Sequence, residues 1–261
     1  MEIFKAVILG IVEGVTEFLP ISSTGHLILA GEMLGFTGDK AKTFEIFIQL
    51  GAILAVVWMY RDKILSSITG FGAKGSNRFL LNLFIAFLPA AFLGLITHSI
   101  IKHYLFNPVS VAFALIAGGI AIFIIENTVK TPSVTDIDKV SLKQALGIGL
   151  AQALSLFPGV SRAGATIMGA MCFRLERKTA VEFSFFLAIP TMFAATSYDL
   201  LKNINNLSAS DTPTFAVGFF VSFFSALIVI KAFLGFVTKH TFNSFAIYRI
   251  AFGAGILFYY L

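Results

Sequence analysis

Between positions 13 and 26 the chain reads Glu13-Gly-Val-Thr-Glu17-Phe-Leu-Pro20-Ile-Ser22-Ser23-Thr24-Gly25-His26, setting two carboxylates, several hydroxyls and an imidazole in apolar sequence. At membrane depth each ionisable group costs about 2.5 to 3.5 kcal/mol on insertion scales, so groups retained there mark a working site by default. Glu13 and Glu17 are four apart, one helical turn, and share a face. Carboxylates so close repel unless a cation or a shared proton lies between them. They suit either a hard divalent ion, Mg²⁺ or Ca²⁺, held jointly with a phosphate, or a base beside a permanently charged partner. The plainer alternative is that both face a water-filled vestibule.

Pro20 ends the first arm, and Ser22 or Ser23 then falls where a helix N-cap is expected, with His26 on that next helix. One hydroxyl is explained as a cap, and the other is left over. Ser23 and His26 are three apart, so a hydroxyl and an imidazole can work on one group, and a helix N-terminus aimed there favours an anion. Ser22, Thr24 and Gly25 are the expected substrate-binding positions around them. A second break, Pro158-Gly-Val-Ser161-Arg162-Ala-Gly, offers another cap and a guanidinium whose planar fork suits phosphate or carboxylate. A plain ion pair of Arg162 with Glu13 or Glu17 is the bland reading, and the pair could open when a phosphorylated ligand arrives. Two acids, a histidine, hydroxyls, an arginine and two half-helix N-termini suit phosphoryl chemistry on something that reaches mid-bilayer, such as a lipid phosphate or diphosphate.

The scaffold must therefore lie in a membrane. Of 261 residues, 57% are hydrophobic and only 13% charged, where a soluble domain carries roughly 25% charge. Mean hydropathy is +0.88. With 7 Pro and 30 Phe, neither a long linker nor low-complexity disorder has room, and one membrane domain is expected over 1–261. The net charge of +5 suits the inner face of a bilayer better than nucleic acid, which is not expected as a partner. Cys172 stands alone, so an intramolecular disulfide or cysteine-rich metal site is excluded, and a small buried apolar role is expected. The first apolar run is interrupted by Glu13 and Glu17 with no small-residue cleavage site after it, unlike a signal peptide.

Six runs approach the roughly 20 residues a span needs: about Thr43 to Tyr60, Phe79 to His98, Val109 to Glu126, Ala180 to Leu200, Thr214 to Phe236 and Ser244 to Leu261. Two more regions, Ile3 to Phe36 and Leu142 to Phe173, are broken mid-way by Pro20 and Pro158 into arms too short to cross. Such arms read as re-entrant hairpins. The expected fold is an all-α, polytopic integral membrane protein of two inverted-topology repeats, each a re-entrant helical hairpin plus three transmembrane helices. Repeat one covers about 1–126, a connecting loop about 127–141, and repeat two about 142–261. Phe18-Leu-Pro20-Ile-Ser-Ser-Thr-Gly resembles Leu156-Phe-Pro158-Gly-Val-Ser-Arg-Ala-Gly, and Gln152 precedes its proline much as Glu13 does.

Alternating loops gather Arg61, Lys63, Lys74, Arg78, Lys130, Lys139, Lys143, Arg174, Arg177, Lys178 and Lys239 on one side, against Lys5, Lys40, Lys42, Lys102 and Lys202 on the other. The positive-inside rule makes the first set cytoplasmic. Both termini and the opening of the first hairpin then face the periplasm or exterior, and the hairpins enter from opposite faces to meet near the midplane, the plan of inverted-repeat transporters.

The motifs Glu13-Gly-Val-Thr-Glu17-Phe-Leu-Pro-Ile-Ser-Ser-Thr-Gly-His26 and Pro158-Gly-Val-Ser-Arg162-Ala-Gly-Ala-Thr166 closely resemble those of the undecaprenyl-diphosphate phosphatase family, also called bacitracin-resistance proteins. The resemblance implies hydrolysis of undecaprenyl diphosphate to the monophosphate and inorganic phosphate, recycling the lipid carrier for peptidoglycan and other envelope polymers in the bacterial plasma (inner) membrane, with a divalent-cation requirement. It carries over Glu13, Glu17, Ser23, His26 and Arg162, with Glu13 and Glu17 expected to bind metal and Glu17, Ser23, His26 and Arg162 expected to be catalytic; Ser161 and Arg162 of the second break are the further expected substrate-binding positions. Ala163 departs from the serine the family often has after the motif arginine. The competing class is a transporter or flippase of an anionic polyprenyl lipid, and a merely structural membrane protein ranks last because it leaves Glu13, Glu17 and Arg162 unexplained. Glu45 and Gln49 could line the same cavity or simply mark an interfacial helix end, and Asn82, Glu182 and Arg249 are expected as helix-to-helix glue or snorkelling ends.

Overall fold

Runs of Phe, Leu, Ile and Ala make this chain helical, even through Pro89 and Pro190, and it breaks where a proline is joined by small and polar residues, at Pro20 and Pro158. The computed structural model describes residues 2–70, 74–105, 107–129, 131–203 and 211–261. Lys130 of the basic count lies outside them. The first hairpin is α1 (Glu2–Thr16) and α2 (Ser23–Met33), followed by α3 (Asp39–Met59), a short α4 (Arg61–Thr69), α5 (Lys74–Tyr104) and α6 (Pro108–Thr128). The second hairpin is α7 (Leu142–Ala153) and α8 (Arg162–Cys172), followed by α9 (Arg177–Asn203), α10 (Thr212–Val237) and α11 (Asn243–Tyr260). Among the described residues no strand forms beyond an isolated bridge between Val134 and Leu175.

Helices α3, α5, α6, α9 and α10 are long and apolar enough to cross a membrane, and the protein is a polytopic membrane protein. The sixth expected span is a continuous helix, α11, but its 18 residues do not reach the apolar level of the other five. Arg249 in its first half, Asn243 at its start and Tyr248, Tyr259 and Tyr260 lower it. Helix α4 was not anticipated, because Arg61, Asp62 and Lys63 look like loop residues. Its Leu65 and Ile68 are exposed while Ser67 is buried, and Lys63 ties it to Asp138 at 2.6 Å.

Small residues set the close contacts, as is usual where lipid supplies no hydrophobic drive between helices. On α1, Gly10 and Gly14 lie against the Gly218 and Ser222 carbonyls of α10; a Cβ at Gly14 would stand 2.5 Å from the latter. In the second half, Gly149 of α7 abuts the backbone of Ala86 on α5. Between α6 and α11 the contact is reciprocal, Gly119 facing the Ala246 carbonyl and Gly253 that of Ala112. The largest apolar cluster runs from Phe18 through Ala163, Ile167, Phe183 and Phe185 to Phe233, so the tips of both hairpins rest on one packed floor.

The charged end is stapled as well. Glu126 at the end of α6 is buried, accepts from Arg177 at the start of α9, and takes the Phe242 backbone N–H at 3.2 Å. Asn82 of α5 reaches the Val140 carbonyl, in the segment before α7, at 2.7 Å, and Cys172, expected to be buried, is exposed at the end of α8.

Candidate active site

Both hairpins break at the same point of their design. Helix α1 ends on a bond from the Glu17 N–H to the Glu13 carbonyl, the chain turns through Pro20, and α2 begins after Ser22 with φ of 70°. In the second hairpin, Pro158 and Gly159 turn the chain and α8 begins after Ser161 with φ of 75°. Left-handed serines are strained by about 1–3 kcal/mol, and such strain concentrates at functional sites. Ser161 caps its helix as expected, its Oγ accepting the Gly164 N–H at 3.0 Å. Ser22 occupies the corresponding N-cap position without a side-chain cap bond.

The tips meet. Arg162 Nη2 donates to Glu17 Oε1 at 3.0 Å across 145 positions of sequence, and Ser23 Oγ donates to Glu17 Oε2 at 2.5 Å. Arg162 Nη1 is held by the carbonyl and hydroxyl of Ser184 on α9, and its guanidinium carbon lies 5.6 Å from the ring centroid of buried Phe18. The pair is almost closed off, with side-chain exposures of 11% and 9%. In that setting a guanidinium and carboxylate are a strong, oriented dipole whose separation would leave each charge unsatisfied.

Glu13 lies one turn back on α1, fully buried, and neither carboxylate oxygen has a partner. The nearby charges on it are Glu17, Glu45 and Arg162. Two hard oxygens without protein donors fit a divalent cation of the Mg²⁺ or Ca²⁺ kind. Among the described residues no group of three or more His, Cys, Asp or Glu could hold a metal ion, so Glu13 and Glu17 would need phosphate oxygens or water to complete a shell.

His26 is held at both ring nitrogens. Its Nδ1 is 2.8 Å from the Ser22 carbonyl, which can only accept, so Nδ1 carries a proton, and in the neutral ring Nε2 accepts from the Tyr248 hydroxyl at 2.6 Å. The ring stacks on Phe252, 4.3 Å between centroids. Gly25 is buried where a Cβ would crowd Val111 and Leu115 of α6, so its smallness serves packing. Thr24 is half-buried beside it.

Arg249 is the residue that sequence reasoning undervalued. It is fully buried on α11 and donates to five carbonyls: Leu115 (3.2 Å) and Ala114 (3.2 Å) of α6, Pro20 (3.0 Å) of the first break, and Gly159 (3.0 Å) and Val160 (3.0 Å) of the second. Gly118 leaves room for it; a Cβ there would lie 2.7 Å from the Arg249 Cζ. A lone charge central in an apolar run was the available signal, and its targets were not.

A polytopic membrane protein with a buried acid, hydroxyl and arginine shared by two broken helices is the class this geometry defines. The family model "Bacitracin resistance protein BacA" matches residues 6–255, and the chain belongs to that family. It is 55% identical over 255 residues to a protein of Nitrosomonas europaea named undecaprenyl-diphosphatase, covering 98% of this chain and 93% of that one. A protein of the same name from Methylobacillus flagellatus is 54% identical over 263 residues, 99% of this chain and 98% of its own. One from Thermoanaerobacter pseudethanolicus is 54% identical over 254 residues, covering 96% and 94%.

Proposed function

We propose that this protein hydrolyses undecaprenyl diphosphate to undecaprenyl phosphate and inorganic phosphate in the bacterial plasma membrane, at a site made by the two hairpin tips of one membrane domain. The continuous chain from Arg162 through Glu17 to Ser23 carries the reading. Full-length relatives bearing the diphosphatase name support the substrate. A diphosphate on a lipid brings its charge to bilayer depth, where a desolvated guanidinium and two helix N-termini favour it.

In the proposed chemistry Arg162 and the backbone N–H groups after Ser22 and Ser161 hold the diphosphate. Ser23 Oγ attacks the terminal phosphorus in line, Glu17 takes its proton, and the lipid monophosphate leaves. Water then hydrolyses the phosphoserine, releasing phosphate and restoring Ser23. His26, held by Ser22 and Tyr248, fixes the start of α2 and shapes that N-terminus for the anion. Glu13 and Glu17 would hold a divalent cation, which when bound offsets negative charge on the phosphates.

The test is phosphate release by purified protein in detergent, where a transporter gives no product. Wild type is expected to release phosphate from C55 diphosphate, to lose activity in EDTA and regain it with Mg²⁺ or Ca²⁺, and to form a ³²P-labelled species absent from Ser23→Ala. A fully active Ser23→Ala removes Ser23 from the chemistry.

The two halves are inverted repeats in this reading, supported by the exchange of packing partners, α1 on α10 and α7 on α5. The imbalance of Lys and Arg between alternating loops supports an active-site opening and termini on the outer side. A single cysteine at Lys40, in a Cys172→Ala background, is expected to react with an impermeant maleimide on intact cells. Reaction only after permeabilisation would reverse the orientation.

A further inference from the structure

The hydroxyls around Arg162 form a closed circuit with one possible proton arrangement. Thr166 Oγ1 lies 2.9 Å from the Arg162 carbonyl and 3.1 Å from the Ala163 carbonyl. Carbonyls only accept, so the single Thr166 hydroxyl proton goes to them. Ser184 Oγ, 2.6 Å from Thr166 Oγ1, must then be the donor of that contact. Its own proton committed, Ser184 Oγ presents a lone pair to Arg162 Nη1 at 3.3 Å, and the Ser184 carbonyl accepts from the same nitrogen at 3.1 Å. The circuit starts at the Arg162 guanidinium and returns to the Arg162 backbone.

Ser184 and Thr166 are both fully buried, so no solvent competes for these bonds. With Nη1 fixed by α9 and Nη2 shared between Glu17 Oε1 and the Met192 thioether at 3.5 Å, a weak acceptor that a phosphate oxygen outcompetes, Nε is the guanidinium nitrogen buried without a partner. A buried N–H left open is costly unless a ligand completes it. Nε and Nη2 together form the side-on fork of an arginine, the edge that matches two oxygens of a phosphate.

We propose that Ser184 is a positioning residue for Arg162: the hydroxyl circuit through Thr166 locks Nη1 so that the Nε and Nη2 edge is the one offered to the substrate's phosphate. The proposal rests on the diphosphate-hydrolase reading above. Without the Ser184 hydroxyl, Nη1 keeps only the carbonyl, the guanidinium gains freedom to rotate about its end, and the two-point grip becomes a single contact. A hydrogen bond to a charged group is worth roughly tenfold or more in an equilibrium constant.

The experiment is steady-state hydrolysis of C55 diphosphate by monodisperse wild type, Ser184→Ala, Ser184→Val and Ser184→Thr. Ser184→Ala and Ser184→Val are expected to raise KM about tenfold with kcat within threefold of wild type. Ser184→Thr, nearly isosteric with valine but keeping the hydroxyl, is expected to stay near the wild-type KM. A role confined to folding would lower the active fraction and hence kcat at constant KM, so an unchanged KM in Ser184→Ala overturns the proposal. Should Ser184→Ala fail to fold, Ser184→Cys, whose sulfur is a poor acceptor, replaces it with the same expectation. Wild type releasing no phosphate would instead overturn the hydrolase reading.

Discussion

Arg162→Ala is expected to lower kcat for phosphate release about 10²- to 10³-fold, the scale seen when one preorganised donor to a developing oxyanion is removed. The loss has two sources in this geometry. Arg162 is the cation shared by Glu17 and the incoming phosphate, so its removal takes charge compensation from the leaving phosphates. It also strands Glu17, a carboxylate at 9% side-chain exposure whose other bond is only to Ser23. Breaking a buried pair from one side costs about 3–5 kcal/mol, so the variant should also melt earlier in detergent. Arg162→Lys is expected to restore charge without restoring rate, since an ammonium cannot hold Ser184 and Glu17 while also offering a planar fork. Near-normal turnover per folded molecule in Arg162→Ala would sink the assignment.

The Arg162 to Glu17 contact also shows how far sequence alone carries. Pro20 and Pro158 stand before small and polar residues, whereas Pro89 and Pro190 stand in apolar runs and are carried inside α5 and α9, so both helix breaks were legible, as was the residue chemistry beside them. That a guanidinium in hydrocarbon needs an anion is equally local, and the pair with Glu17 was one of two stated options. The choice of Glu17 over Glu13 was not local, because the two share a face and the choice depends on the level along the first arm at which Arg162, 145 positions away, comes to rest. His26 illustrates the same limit: three-residue spacing placed it near Ser23, but Tyr248, 222 positions away, takes its free nitrogen. Hydropathy runs found the spans, yet α4 was missed because a short amphipathic helix among charges has too few apolar residues to stand out.

Arg249→Leu is the other change expected to be severe, acting on architecture rather than chemistry. Two of its five acceptors, Ala114 and Leu115, sit inside α6, where carbonyls have helical partners of their own. The other three, Pro20, Gly159 and Val160, lie in the turns that break the hairpins, where no helix ladder supplies a donor. Leucine leaves those three carbonyls unsatisfied in a dry setting, at about 1–3 kcal/mol each, against a typical total stability of about 5–15 kcal/mol. The tips bearing Ser22 and Ser161 would then no longer be referenced to one another. The expected result is a large drop in melting temperature in detergent, together with loss of hydrolysis in whatever remains folded. Arg249→Lys should fall between, because one ammonium with three donors cannot span carbonyls from two hairpins and α6. Gly118→Ala, which intrudes on the guanidinium from α6, should reproduce the phenotype without touching a charge, separating lost position from lost charge. A wild-type melting temperature and rate in Arg249→Leu would mean the tips are held together by Arg162 and Glu17 alone.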